Sequence, residues 1–451
     1  MRIVQTRRVD SLFERWSLNW HPQSQTLLAR DGLGRLRWGL RLPEGAFAVP
    51  YTGSYFAASS GHVLLLALGD RFVVLDTLGA TPPADDAQRT ASHPPTILWG
   101  RMLLELPAGR AGGRFVRGRP IMRPGGGHRI LLTDPRGRAV GTVAAITSDL
   151  VCYQVGDTLY AADLLTGQVV WWRKAVPRGS EIFGDEQQVV LVSPETDAVT
   201  FLRTTDGVLL GHKRYPGSRL RLGTIGHCLL TWQLENDRRQ LAKYDLLEDK
   251  ALWQREFAAE ALIATVGEDE LAVVEPSGRV TILRCDDGTT VLQGTVPNVR
   301  GATQAFVIRS AERYILITTA LDNTSPVQVG GLPYLTHQAV VNGRVDGFSR
   351  RSGEHLWSFP LQQTTVDLEQ PRDLPVLVFA CRCLVLPAKP NARGLPPAVP
   401  PKYSLLILDT RNGTVIFRDD DYLPIQGYRV EADKDRQTIR VITDRTTVTL
   451  R

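Results

Sequence analysis

Four segments of the chain share one spacing, and that spacing constrains the fold more than any other feature. The clearest copy runs Ala161-Ala-Asp163-Leu-Leu-Thr-Gly167-Gln-Val-Val-Trp171. Asp245-Leu-Leu-Glu-Asp249-Lys-Ala-Leu-Trp253, Ser349-Arg-Arg-Ser-Gly353-Glu-His-Leu-Trp357 and Asp409-Thr-Arg-Asn-Gly413-Thr-Val-Ile-Phe417 follow it. In each, a polar residue stands four positions before a turn and an aromatic four after it. Gly34 and Trp38 keep the second half of the pattern. Weaker copies centre on Gly207 and Gly288, where Gly211 and Leu292 replace the aromatic. From 167 the turn positions fall at 207, 249 and 288, steps of 40, 42 and 39 residues. A unit recurring at such a step marks a repeat array.

One unit reads in full. Glu181–Gly184, Gln188–Ser193, Ala198–Arg203 and Val208–Lys213 are short runs rich in Val, Leu and Phe, separated by Gly-Asp-Glu, Pro-Glu-Thr-Asp and Thr-Thr-Asp-Gly. Those separators are turn chemistry. The next unit repeats the scheme through Ala261–Val266, Leu271–Glu275, Val280–Arg284 and Thr289–Leu292. Four strands every ~40 residues, with no helical period between them, predict an all-β chain of WD40-like propeller blades. Within the repeat, Gly suits a positive-φ turn between the third and fourth strands. The Asp side chain can bond that turn's amides, and the Trp offers a flat face to the neighbouring blade. This motif is structural by its own logic.

The Ala161-x-Asp163-x-x-x-Gly167-x-x-x-Trp171 copy resembles the tryptophan-docking motif of quinoprotein-type propellers, the PQQ-like repeat family. Asp245 and Trp253, Gly353 and Trp357, and Asp409, Gly413 and Phe417 carry the same resemblance. It implies one eight-bladed propeller over 1–451, with seven blades as the alternative. Anchors at 34, 79, 137, 167, 207, 249, 288, 353 and 413 include one too many, because 137 to 167 is too short for a blade. The C-terminal runs Gln437–Asp444 and Thr446–Arg451 lack a fourth strand, which a strand near Arg35–Leu40 would supply, closing the ring. Insertions are expected near 107–129, 321–336 and 387–402, and function on a rigid scaffold tends to sit in such loops.

Charge adds one more candidate. The net charge is +6, carried by 46 Arg against 7 Lys spread along the chain. Arg110–Arg138 stands apart, with eight Arg and Asp134 as its only acid, and interleaved glycines predict a loop. Arg114, Arg117, Arg119 and Arg123 are the residues there that would hold an anion or an acidic partner. No aromatic ladder accompanies them, so nucleic acid is not the expected partner. The apolar runs Val63–Leu68 and Leu374–Leu386 are too short to span a membrane as helices. Met1-Arg-Ile-Val-Gln-Thr-Arg-Arg lacks the apolar core of a secretory signal, which predicts a cytoplasmic chain, or a periplasmic one if a longer exported chain precedes it.

Catalytic signatures are sparse. Active members of the resembled family bind pyrroloquinoline quinone beside an adjacent cysteine pair, with a calcium site and an Asp base. This chain has no Cys-Cys pair; Cys381-x-Cys383 is the nearest, and Cys152, Cys228 and Cys285 read as buried, inert thiols. Its eight histidines show no HExxH or CxxC partner spacing. The expectation is therefore no catalytic, cofactor-binding or metal residues, and a monomeric, non-catalytic scaffold that holds a protein partner. The alternatives are a quinoprotein-type or other enzyme working in the central funnel, and anion or nucleic-acid binding through 110–138.

Overall fold

A computed structural model describes residues 17–21, 26–41, 56–68, 71–80, 93–102, 117–120, 129–133 and 139–451. Within the last stretch it leaves out 194–195, 197, 215–220, 268, 298, 321–326, 331, 333–337, 369, 386–400 and 434–436. Every regular element among these residues is a β-strand. The protein is all-β, a propeller of small antiparallel sheets.

Six four-stranded meanders repeat along the described chain, spanning 56–102, 139–173, 181–214, 221–258, 262–295 and 304–367. The unit read in full from sequence has strands Glu181–Gly184, Gln188–Val192, Ala198–Arg203 and Leu209–Arg214. The next has Leu262–Val266, Glu270–Val274, Arg279–Arg284 and Thr290–Thr295. Expected and observed boundaries agree to about a residue except at the last, which runs on to Thr295.

The remaining strands depart from eight equal blades. Val376–Val385, Lys402–Asp409 and Val415–Tyr422 continue the sheet of the 304–367 meander, joined to it by the single pairing Val366↔Phe379. Residues 17–41 and 428–450 each make a three-stranded sheet. The expected closing strand exists as Leu36–Arg41, but it pairs with Thr26–Arg30 and not with the C-terminal sheet. Those two sheets touch instead through the turn before it. Leu33 O accepts from Ala432 N at 3.1 Å, and Arg30 reaches Glu431 at 3.4 Å. A Cβ on Gly34 would lie 2.0 Å from Val430 O, so the approach is backbone to backbone.

Two segments expected as loops are partly strand. Arg117–Pro120 pairs with Arg129–Thr133, extending the 139–173 sheet, because Ile130-Leu-Leu132 supplies an apolar strand for it. Val327–Gly330, inside the 321–336 insertion, pairs with Val376–Val385, and Leu332 beside it is buried. The 387–402 insertion lies outside the described residues up to 400.

Between-blade packing has one repeated device. In each of the six meanders the pairing of third and fourth strands slips by one residue, at Val74/Leu75, Ala161/Ala162, Phe201/Leu202, Lys243/Tyr244, Ile282/Leu283 and Gly347/Phe348. The unpaired residue, such as Val170, Leu210 or Leu252, stands three after the turn position. Such a bulge increases the local twist and re-aims the next side chain. That next side chain is the aromatic of the motif. Where it is Trp171 or Trp357, it is buried against the adjoining blade.

Candidate functional site

The hairpin turns come first, because the sequence singles them out. Asp163 Oδ1 accepts from the amides of Leu165 and Thr166 at 3.1 and 2.7 Å, and Gly167 N donates to Asp163 O at 2.9 Å. Asp245 and Asp409 repeat the capping bond, to Leu247 N at 2.9 Å and Arg411 N at 2.8 Å. Gly34, Gly79, Gly167, Gly207, Asp249, Gly288, Gly353 and Gly413 all have φ between +57° and +78°. The ninth anchor, Gly137, lies outside the described residues.

A tryptophan covers four of these turns. Trp99 Nε1 donates to Leu164 O at 2.8 Å, Trp171 to Thr204 O at 2.8 Å, Trp253 to Cys285 O at 3.2 Å and Trp357 to Thr410 O at 3.0 Å. Each acceptor stands three residues before the turn glycine of the following blade. A Cβ on Gly167, Gly207, Gly288 or Gly413 would come within 2.5–2.7 Å of the indole, so close approach requires glycine there. Where Gly211 replaces the aromatic, the facing turn carries Asp249, and no indole excludes its side chain. Phe417 packs on Tyr422 at 6.3 Å. The indole contacts hold blades together and offer no reactive group.

The arginine candidates are only partly within the described residues. Arg117 and Arg119 lie in the paired strand described above, while Arg114 and Arg123 fall outside the described residues. The thiols of Cys152, Cys228, Cys285 and Cys381 are unbridged and buried, and burial pushes the Cys152 thiol far up.

A cluster the motifs did not point to forms between the 181–214 and 221–258 blades. Asp185 sits in the first turn of one blade, and His227 in the equivalent turn of the next. His227 Nδ1 is 2.5 Å from Asp185 Oδ2, and His227 N donates to the same oxygen at 3.1 Å. His227 Nε2 faces Asp245 Oδ2 at 3.3 Å. The nitrogen, the Cys228 Sγ and the Asp245 carboxylate all lie within 4.8 Å of one another. Burial opposes an imidazolium here, but the Asp185 carboxylate and Cys228 outweigh it, and the His227 pKa is pushed up to about 11. Asp185 stays below the usual carboxylate range despite its burial, because His227 and two turn amides bond it. Asp245 belongs to the repeat and Asp185 to a turn legible as Gly-Asp-Glu. His227 stands 18 residues before Asp245 at no motif spacing, so only folding brings the three together.

Two other polar groups have structural wiring. Ser358, His355 and Asp346 lie together, yet His355 uses the same Nε2 toward Asp346 Oδ1 at 3.0 Å and Ser358 Oγ at 3.1 Å. Ser358 donates directly to Asp346, so no relay runs from hydroxyl through imidazole to carboxylate. Arg309 bonds Asp269 at 2.7 Å and lies 3.2 Å from buried Glu270, which accepts from Tyr314 Oη at 2.9 Å.

Comparison with known proteins follows the repeats. Residues 134–318, less than half of the chain, match the model described as outer membrane protein assembly factor BamB. That stretch is similar to the PQQ-like propeller repeats. No curated protein matches the chain. Among solved structures, Kluyvelomyces marxianus Hsv2 is 11% identical, with 88% of this chain and 97% of that one covered at a TM-score of 0.33. BamB from Moraxella catarrhalis is 16% identical, covering 66% and 96% at 0.23. The dihydro-heme d1 dehydrogenase NirN is 10% identical, covering 72% and 68% at 0.28. No helix among the described residues is long and apolar enough to cross a membrane.

Proposed function

We propose that this PQQ-like propeller is a non-catalytic scaffold that holds another protein against the outer strands of its blades. One observation carries the reading. The unpaired residue of the bulge is a large apolar side chain left in solvent on blade after blade: Val170 57%, Leu210 42%, Leu252 48%, Leu356 41% and Ile416 41% exposed. Val169, Trp172, Val208, Leu209 and Val415 widen the band. Single exposed apolar residues are ordinary, but their recurrence at one position of successive blades supports an interaction surface. The bulge bends the edge strand and so discourages strand-on-strand pairing. The partner would therefore be gripped by side chains.

The scaffold reading extends to a single eight-bladed ring with its turns at 34, 79, 167, 207, 249, 288, 353 and 413, acting as a monomer without a quinone. The match to an assembly factor supports the class of work, holding other proteins, and no particular client. The test pairs wild type with a Val170→Asp/Leu210→Asp double variant in capture from host extract. Both substitutions are on exposed side chains, so the variant should melt like wild type and lose the captured protein. Retention of the same partner by the folded variant would sink the reading.

A further inference from the structure

We propose that His227, Cys228 and Asp245 form a binding site for a thiophilic divalent cation, zinc by preference, at the junction of the 181–214 and 221–258 blades. His227 lies in the turn that opens the second strand of its blade, and Cys228 is that strand's first residue. Because His227 is outside the strand, the alternation of side chains along it does not separate the pair. Asp245 ends the third strand of the same blade, so all three donors are fixed by one hairpin framework.

The donor spacing matches what a shared metal would need. Zinc holds imidazole nitrogen at about 2.0–2.1 Å and carboxylate oxygen at about 2.0–2.2 Å, which at a tetrahedral angle sets the two donors ~3.4 Å apart. His227 Nε2 and Asp245 Oδ2 stand 3.3 Å apart. Asp245 Oδ1 is taken by the amides of Leu247 and Glu248 at 2.9 and 3.0 Å, which leaves Oδ2 as the oxygen turned to the imidazole. The third donor is the buried Cys228 thiol, within 4.8 Å of both other ligand atoms. Thiolate with imidazole selects zinc over calcium or magnesium.

Asp185 supplies the outer support. A ligating histidine usually gives its second ring nitrogen to a carboxylate, which orients the ring. His227 Nδ1 is held by Asp185 Oδ2 at 2.5 Å, and Asp185 Oδ1 is itself bonded by Gln187 N at 3.0 Å. Asp185 comes from the neighbouring blade, so binding would tie the two blades together. The His227 side chain is 15% exposed, which gives an ion access and leaves its fourth position for water or a partner's donor.

The test uses the full chain, stripped with chelator and titrated with Zn²⁺ by calorimetry and with Co²⁺ by absorption. Saturation at one equivalent, with a thiolate-to-cobalt charge-transfer band, is expected. Cys228→Ser should abolish that band and weaken zinc, whereas Cys381→Ser should change neither. Asp185→Asn should weaken zinc by about 10–100-fold while keeping the band, as an orienting carboxylate does. Thermal melts of the metal-free proteins show that each variant is folded. No saturable binding by wild type, or cobalt binding that keeps its spectrum in folded Cys228→Ser, would overturn the site.

Discussion

At the scale of single residues, the glycines under the tryptophans differ from glycines that only turn the chain. Gly79 and Gly207 share a positive φ, but a Cβ on Gly79 has nothing within 4 Å while one on Gly207 meets the Trp171 indole at 2.6 Å. Gly79→Ala should cost only the left-handed strain, ~1–2 kcal/mol. Gly207→Ala adds overpacking of ~1–3 kcal/mol, so its loss in chemical denaturation should be clearly the larger. Trp171→Ala made together with Gly207→Ala should recover part of that second cost, because the clash goes with the indole. Equal losses at the two glycines would show that the indole does not set the glycine requirement. The turn carboxylates predict acid behaviour. Bonds from Thr166 hold Asp163 below its ordinary range, and the Arg411 guanidinium does the same for Asp409. Both contribute stability above the unfolded carboxylate pKa of about 3.9 and lose it as pH falls through their lowered folded values. Asp163→Asn/Asp409→Asn should therefore flatten the acid arm of the stability curve and leave its slope between pH 6 and 8 alone.

At the scale of elements, neighbouring blades are joined by indoles and also by charged residues in their first turns. Arg309, from the first strand of the 304–367 meander, reaches Asp269 and Glu270 of the preceding blade. Burial pushes the Glu270 carboxyl up despite its Tyr314 bond. Arg309→Leu removes the cation and leaves a buried carboxylate, a change that costs about 3–5 kcal/mol when a buried pair is broken. Because a raised folded pKa favours the folded state on protonation, that loss should shrink as pH falls from 7 toward 4 in thermal melts. A loss independent of pH would mean that Glu270 is not the group left uncompensated. This scale is also where sequence reading stopped short. Asp163, Gly167 and Trp171 were legible because their spacing repeats, and strands showed as apolar runs between turn residues. The bulge was not, since one extra residue in a pairing leaves no mark on a single strand. His227 and Asp185 were not, since 42 residues separate them and only the stacking of two blades brings them together. Arg117–Pro120 was hidden by its glycine and arginines, and formed a strand because Arg129–Thr133 offered it an edge.

At the scale of the whole molecule, each blade covers a face that its neighbour cannot bury alone. Buried clusters run from one sheet into the next, as in Val63 to Leu164 and Ala264 to Phe348. Far-ultraviolet circular dichroism and tryptophan fluorescence should then report one coincident unfolding transition. Two resolved transitions would divide the chain into independent units. Partner binding rests on the outer strands, and lysine chemistry can map it directly. Three of the seven lysines flank the apolar band: Lys174 follows Val169–Arg173, Lys213 lies in Leu209–Arg214 and Lys250 opens Lys250–Ala258. Lys402 stands apart, exposed on Lys402–Asp409 and paired with Asp421 at 2.8 Å. The decisive measurement is amine cross-linking of the captured complex followed by mass spectrometry. The scaffold account predicts cross-links to the partner from Lys174, Lys213 and Lys250. Cross-links confined to Lys402, with those three as reactive as in the free protein, would contradict it.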